Sequence, residues 1–178
     1  MTMLSDFDAA DAELLSSLLV RAGMNVSYAE DEDGEADDEL EMRALEACIR
    51  HVASMEGKPR VIREIAKYAL DQRGSWDKWS QGVFNIEPLC AKAVQVFSAL
   101  ASEDETREYR AVVVEVATAV AQAYGEFGEE EPESGFFGGM MKKVMGGFGG
   151  AKDAGHPMNI SAAEDSAISR ISQALKNA

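Results

Sequence analysis

The chain has 178 residues, 46% of them apolar and only four of them proline, so it is one domain's worth of protein with the material for a sizeable core. Its 32 Asp and Glu against 17 Lys and Arg give a formal net charge of −15, which excludes a globally basic face for DNA, RNA or anionic lipid, because counterion release needs cations in excess. Cys48 and Cys90 stand apart without CxxC spacing, so neither a disulfide framework nor a structural zinc is indicated, and a reducing, cytoplasmic setting is expected. The opening residues carry acids where a signal peptide needs a basic and then apolar run. The longest apolar stretch, 111–123, is interrupted by Glu115 and falls short of the ~20 residues that cross a bilayer.

Apolar spacing then predicts helix after helix. Leu14, Leu15, Leu18, Leu19 and Ala22 share a stripe over 10–29, with Gly23 and Asn25 as points of expected loosening. Met42, Leu45, Ile49 and Val52 repeat the pattern over 38–55. Gly57-Lys58-Pro59 breaks the chain, and Val61, Ile62, Ile65, Ala69 and Leu70 form a third stripe that ends before Arg73-Gly74. Residues 74–84, with Trp76, Trp79 and two glycines, read as a loop or short turn. A fourth helix starts near Glu87-Pro88, where proline suits the first turn, and runs past Val94 and Phe97 to Leu100. Ser102 and Glu105 have capping-box spacing and open a fifth helix reaching Tyr124. Ser161 and Glu164 repeat that box before a last helix whose stripe is Ile168, Ile171 and Leu175. No window alternates with period two, so the predicted fold class is all-α.

The acids are concentrated. Residues 30–41 (EDEDGEADDELE) hold nine carboxylates in twelve positions, and 126–133 (EFGEEEPE) hold five in eight. Each follows an Ala-rich helix, with Gly34 inside the first and Gly125 immediately before the second. Hard divalent cations favour such oxygen donors, and glycine lets the backbone fold round an ion, so the turns are candidates for Ca²⁺ or a similar metal. An EF-hand loop is excluded: with Gly34 at its sixth position, Ala29 and Leu40 occupy the first and twelfth, although Asp31, Asp33, Glu35 and Asp37 match the third, fifth, seventh and ninth. The alternative is a solvated loop in which Asp37 or Asp38 caps the next helix and Glu41 closes a capping box.

Set side by side, the two ends of the chain repeat one another. Ser27-Tyr28-Ala29 and the acidic turn lead into EMRALEACI. Ala121-Gln122-Ala123-Tyr124-Gly125-Glu126-Phe127 leads, after an interruption, into Asn159-Ile160-Ser161 and AAEDSAISRISQAL. This doubled pattern, over about 14–176, resembles the TerB-like family, the helical domain of tellurite resistance and stress response. The resemblance implies a pseudo-duplicated bundle of six or seven helices, non-enzymatic, with a metal site pooled from both turns. Carried over, the first turn supplies Asp33, Glu35 and Glu39 or Glu41, with Asp31 beside them, and the second supplies Glu126 and Glu164. Three departures stand out: the extra acids Glu30 to Glu32, Tyr124 in place of a second Asp, and about thirty residues between Phe127 and Asn159.

That insertion, at about 128–158, holds Phe136, Phe137, Met140, Met141, Met145 and Phe148 with two lysines among six glycines over 136–150. Phe and Met beside a local positive charge suit a partner's groove or a membrane surface. The segment is thus a candidate contact element for a protein or membrane-associated partner, peripheral at the inner membrane, or else a plain connector. Lys58, Arg60, Arg63 and Lys67 form a basic stripe, read first as the wet face of an amphipathic helix. No Walker loop, nucleophile elbow or His/Cys/Asp grouping points to catalysis, and His51 and His156 lack partners at ligand spacing. Cys48 and Cys90 fall on apolar stripes and are expected to be buried. The sequence therefore leads to a metal-binding stress-response domain, with a metal-independent adaptor acting through 136–150 as the alternative.

Overall fold

The computed structural model describes residues 1–29, 35–126 and 160–178, with backbone alone for 35–40 and 123–126. Among the described residues the chain is all-α. Its helices are α1 (Ala9–Ser27), α2 (Glu35–Ser54), α3 (Arg60–Asp71), α4 (Trp76–Trp79), α5 (Glu87–Ser98), α6 (Glu103–Glu126) and α7 (Ala162–Lys176). Asp8 caps α1 by accepting the Asp11 N–H at 2.8 Å. Pro59 precedes α3, and Pro88 sits in the first turn of α5, where the missing N–H costs nothing. Both expected capping boxes form. Glu105 accepts from the Ser102 N–H at 3.0 Å, and Glu164 accepts from the Ser161 N–H at 2.9 Å, each serine hydroxyl accepting a backbone N–H in return.

The stripes read from periodicity face one core. Leu15, Leu18, Leu19 and Ala22 of α1 meet Leu45, Ile49 and Val52 of α2, with Val61, Ile62, Ile65 and Ala69 of α3 completing one side and Ala167, Ile171 and Leu175 of α7 the other. Cys48 and Cys90 are free and buried. An unforeseen contribution comes from the N-terminal residues. Phe7 stacks on Phe97 at 5.8 Å, and Phe97 on Tyr109 at 4.7 Å, a column of aromatic pairs each worth roughly 0.5–1.5 kcal/mol beyond its buried area.

Three expectations are corrected. The 74–84 segment is structured: a 3-10 turn (Arg73–Ser75), the short α4 and a second 3-10 turn (Val83–Asn85), with Trp76 and Trp79 fully buried. Trp76 Nε1 donates to the Ala69 carbonyl at 2.8 Å, so the indoles anchor this segment to the bundle. Second, α2 begins at Glu35, so Asp37 and Asp38 lie within its first turn rather than before it. Third, α1 is continuous through Gly23 and Asn25; Asn25 Nδ2 donates to the Val83 carbonyl at 2.7 Å and thereby holds the second 3-10 turn.

The most extensive helix packing is α1 against α6, and its direction decides the architecture. The Tyr109 hydroxyl donates to the Leu15 carbonyl at 2.9 Å, while Gly23, about 12 Å further along α1, faces Val120, about 16 Å further along α6. The two helices therefore run parallel. α2 returns antiparallel, since Ser27 bonds Glu41 and Gly23 meets Leu45. α7 also returns antiparallel to α6, with the Ala178 carbonyl beyond its C-terminal end accepting from Arg110 Nη2 in the first third of α6 at 3.2 Å, and Arg170 of α7 pairs with Glu87 of α5 at 3.7 Å.

At Gly23, α1 is approached by both α2 and α6. A Cβ there would sit 2.6 Å from Leu45 Cδ1 and 3.1 Å from Val120 Cγ2, whereas at Gly57 it would meet nothing within 4 Å. Gly23→Val is expected to destabilise the fold by roughly 2 kcal/mol or more through overpacking, while Gly57→Ala stays within about 0.5 kcal/mol of wild type, as measured by urea unfolding.

Candidate functional site

The chain direction places four helix ends at one pole of the bundle: the C-terminal ends of α1 and α6, and the N-terminal ends of α2 and α7. Both acidic segments leave from this pole. Of the carboxylates predicted to form a site there, Glu41 and Glu164 are fully described, and both are buried, at 8% and 1% exposure. Glu41 accepts a hydrogen bond from the Ser27 hydroxyl, which joins the end of α1 to α2. It is thus an inter-helix acceptor and not the closing residue of a capping box. With Ser27, Tyr28, Met24 and Met42 it lines a cavity of about 60 Å³ backed by Gly23, Leu45 and Val120. Glu164 spends one oxygen on the α7 capping box.

Such buried carboxylates carry a desolvation cost that only hydrogen-bond donors or cations offset. The donor set is the one a hard cation prefers. Glu35, Glu39 and Glu126 lie on α2 and α6 at the same pole, with side chains outside the described residues, as are Asp31 and Asp33 altogether. Phe136, Phe137, Met140, Met141, Phe148 and His156 also lie outside the described residues. Among the described residues, no three His, Cys, Asp or Glu side chains form a metal-holding group.

A second charged site escaped the sequence reading. Lys58, assigned there to a wet basic stripe, is buried in the α2–α3 turn, its side chain 4% exposed. Its Nζ lies 2.5 Å from Glu108 Oε1 and 3.3 Å from Glu115 Oε2, both on α6. Arg60, by contrast, is exposed and pairs with Glu64 at 2.7 Å, and Lys67 is exposed, so the wet-face reading holds for those two. The signal available in sequence was Glu115 itself, a lone acid within an apolar helix that needs a cationic partner once buried.

Burial works against the Lys58 ammonium, but hydrogen bonds and charge from Glu108 and Glu115 outweigh it and hold its pKa above the ordinary value. Burial pushes Glu115 up against the opposing pull of Lys58 and the weaker one of His51, and Glu115 Oε1 is buried without a hydrogen-bond partner among the described residues. Burial and the Glu115 charge raise the neighbouring Cys48 thiol to about 12, so it is inert as a nucleophile. Glu105 moves the other way: hydrogen bonds from Ser102 and Thr2, which outweigh burial, bring it to about 2.

No protein-family model, curated protein or solved structure matches the chain. No described helix is long and apolar enough to cross a membrane.

Removing Lys58 strands two carboxylates, so Lys58→Met is expected to cost roughly 3–5 kcal/mol, and the double variant Lys58→Met/Glu115→Leu to recover most of it, by urea unfolding. The pH dependence has two opposite components. The raised pKa of Glu115 means that the folded state holds its proton longer than the unfolded chain, so its contribution declines as pH rises above about 4.5 through the folded value. The lowered pKa of Glu105 gives stability that is present above about 4.5 and lost as pH falls toward about 2. Stability against pH for Glu115→Gln and Glu105→Gln is expected to lack the first and second component respectively.

Proposed function

We propose that the chain is a non-enzymatic TerB-like domain of tellurite-resistance and stress-response type that works in the cytoplasm by binding a divalent cation at the acidic pole. Asp31, Asp33, Glu35, Glu39 and Glu41 from the first segment and Glu126 and Glu164 from the second are the ligand set. The observation that carries this reading is the parallel course of α1 and α6, which brings both acid-bearing helix starts, with buried Glu41 and Glu164, to one end. A chain of net charge −15 with fourteen of its acids in two segments leaving that end concentrates self-repulsion there. Relief of that repulsion by Ca²⁺ or a similar hard ion ties the start of α2 to the start of α7. Ser27 orients Glu41 and the capping box orients Glu164, so this chain's own contribution is to hold carboxylate oxygens in place before any ion arrives.

Titration calorimetry and thermal melts with Ca²⁺, Mg²⁺ and Mn²⁺ test it. At a free ion concentration of about 100 Kd, stability is expected to rise by ~2.7 kcal/mol, roughly 5–10 °C in Tm for a chain of this size. Glu164→Gln keeps the capping geometry and is expected to weaken binding together with Asp33→Asn, because the site draws on both segments. Absence of heat and of any Tm shift up to millimolar ion, or binding indifferent to Glu164→Gln, overturns the pooled site.

A further inference from the structure

The inward stripe of α2 (Leu45, Cys48, Ile49 and Val52) leaves Arg43, Glu46, Arg50 and Ser54 on the opposite face, about one turn apart, with His51 half-buried at its edge. These residues line an open groove of about 430 Å³, and Ala47 between them contributes only a methyl group, so the groove keeps its depth. Arg73 reaches the same face from the 3-10 turn after α3. Its guanidinium carbon stands 4.3 Å from the ring centroid of Trp76, which is buried and tied to the Ala69 carbonyl. Glu46 joins the two elements: Oε1 accepts from Arg50 Nη2 at 2.5 Å, and Oε2 accepts from Arg73 Nε at 3.3 Å.

The arrangement leaves positive charge in place. One carboxylate serves two guanidiniums, so Glu46, Arg50 and Arg73 together stay cationic within a chain of net charge −15. A guanidinium carries five N–H donors, and each of these two gives one to Glu46. Stacking on Trp76 and pairing with Glu46 fix the Arg73 fork in advance, which lowers the entropy cost of meeting a ligand. Arg43 precedes Arg50 by two turns, about 10 Å along the axis, so two long side chains flank one space.

Size and charge select the ligand. A volume of about 430 Å³ suits a small molecule. An extended polyanion laid across this face meets the negative remainder of the surface, whereas a compact anion responds to the local cations. A carboxylate offers two oxygens, a role that Glu46 already fills for Arg50 and Arg73. A phosphoryl group offers three oxygens and close to two charges, enough for Arg43, Arg50 and Arg73 together. We infer that the groove over α2 between Arg43 and Ser54, bordered by Arg73, binds the phosphoryl group of a small phosphate monoester.

This site is independent of cation binding at the acidic pole, and its test uses buffer freed of divalent ions by chelating resin. Glycerol 3-phosphate and inorganic phosphate are titrated into isotope-labelled protein at about 150 mM sodium chloride, where diffuse charge attraction is largely screened. The signals followed are the backbone amides of 43–54 and the Nε–H groups of Arg50 and Arg73. Both probes are expected to shift them saturably, with half-saturation near ~1 mM, and added chloride at equal ionic strength to leave them unmoved. Arg43→Gln/Arg50→Gln is expected to raise the half-saturation at least ~tenfold at unchanged Tm. Arg60→Gln/Lys67→Gln, which removes the same charge from exposed positions of α3, is expected to leave it unaltered. Shifts that never saturate, that chloride reproduces, that persist undiminished in Arg43→Gln/Arg50→Gln, or that both double variants weaken alike overturn the proposal. Saturation by inorganic phosphate with no response to the ester overturns the monoester, and binding to phosphatidic acid vesicles without binding to glycerol 3-phosphate overturns it in favour of a lipid surface.

Discussion

The parallel contact between α1 and α6 is the constraint on which the rest of the molecule depends. It is held at one level by the Tyr109 hydroxyl on the Leu15 carbonyl and at another by the absence of a side chain at Gly23. Two helices joined directly by a short turn run antiparallel; a parallel pair needs intervening chain, here α2 through α5. Once the pair is parallel, the short connection after α1 turns α2 back at the pole where α6 also ends. That arrangement sets where α2 starts and where the chain's most acidic segments leave the bundle, and α7, antiparallel to α6, starts at the same pole.

The buried charges follow from the same geometry. Lys58 reaches Glu108 and Glu115 because α2 descends antiparallel to α6 and delivers the α2–α3 turn to the lower half of that helix. The triad is oriented away from the acidic pole, and its chemistry differs from that of Glu41 and Glu164. Its carboxylates meet the Lys58 ammonium, and at the pole Glu41 accepts from the Ser27 hydroxyl and Glu164 from the Ser161 N–H.

The helices were legible because each carries a period-3.6 stripe, and the capping boxes at Ser102 and Ser161 were legible because their chemistry is local. The Trp76 and Trp79 segment was not, because four helical residues are too few to display a period and their burial comes from tertiary contact. The start of α2 was placed at 38 rather than Glu35 because a run of carboxylates in a first turn carries no apolar signal. Lys58 was misassigned for a related reason: side-chain burial in a turn depends on what lies across the gap, and the spacing to Glu108 and Glu115 is invisible without the fold. At the acidic pole the residue types are readable, but that α1 and α6 end at the same pole depends on the direction of α6 against α1, which no local pattern encodes.

The central claim is that the two acid-bearing helix starts serve a single cation site. Titrating Mn²⁺ into isotope-labelled protein and following paramagnetic broadening of backbone amides tests it most directly. The account predicts that amides around 24–28 and 41–45 broaden at the same ion concentration as those around 119–122 and 161–165. Broadening confined to the neighbourhood of 28–41, with 161–165 untouched at saturation, would contradict it.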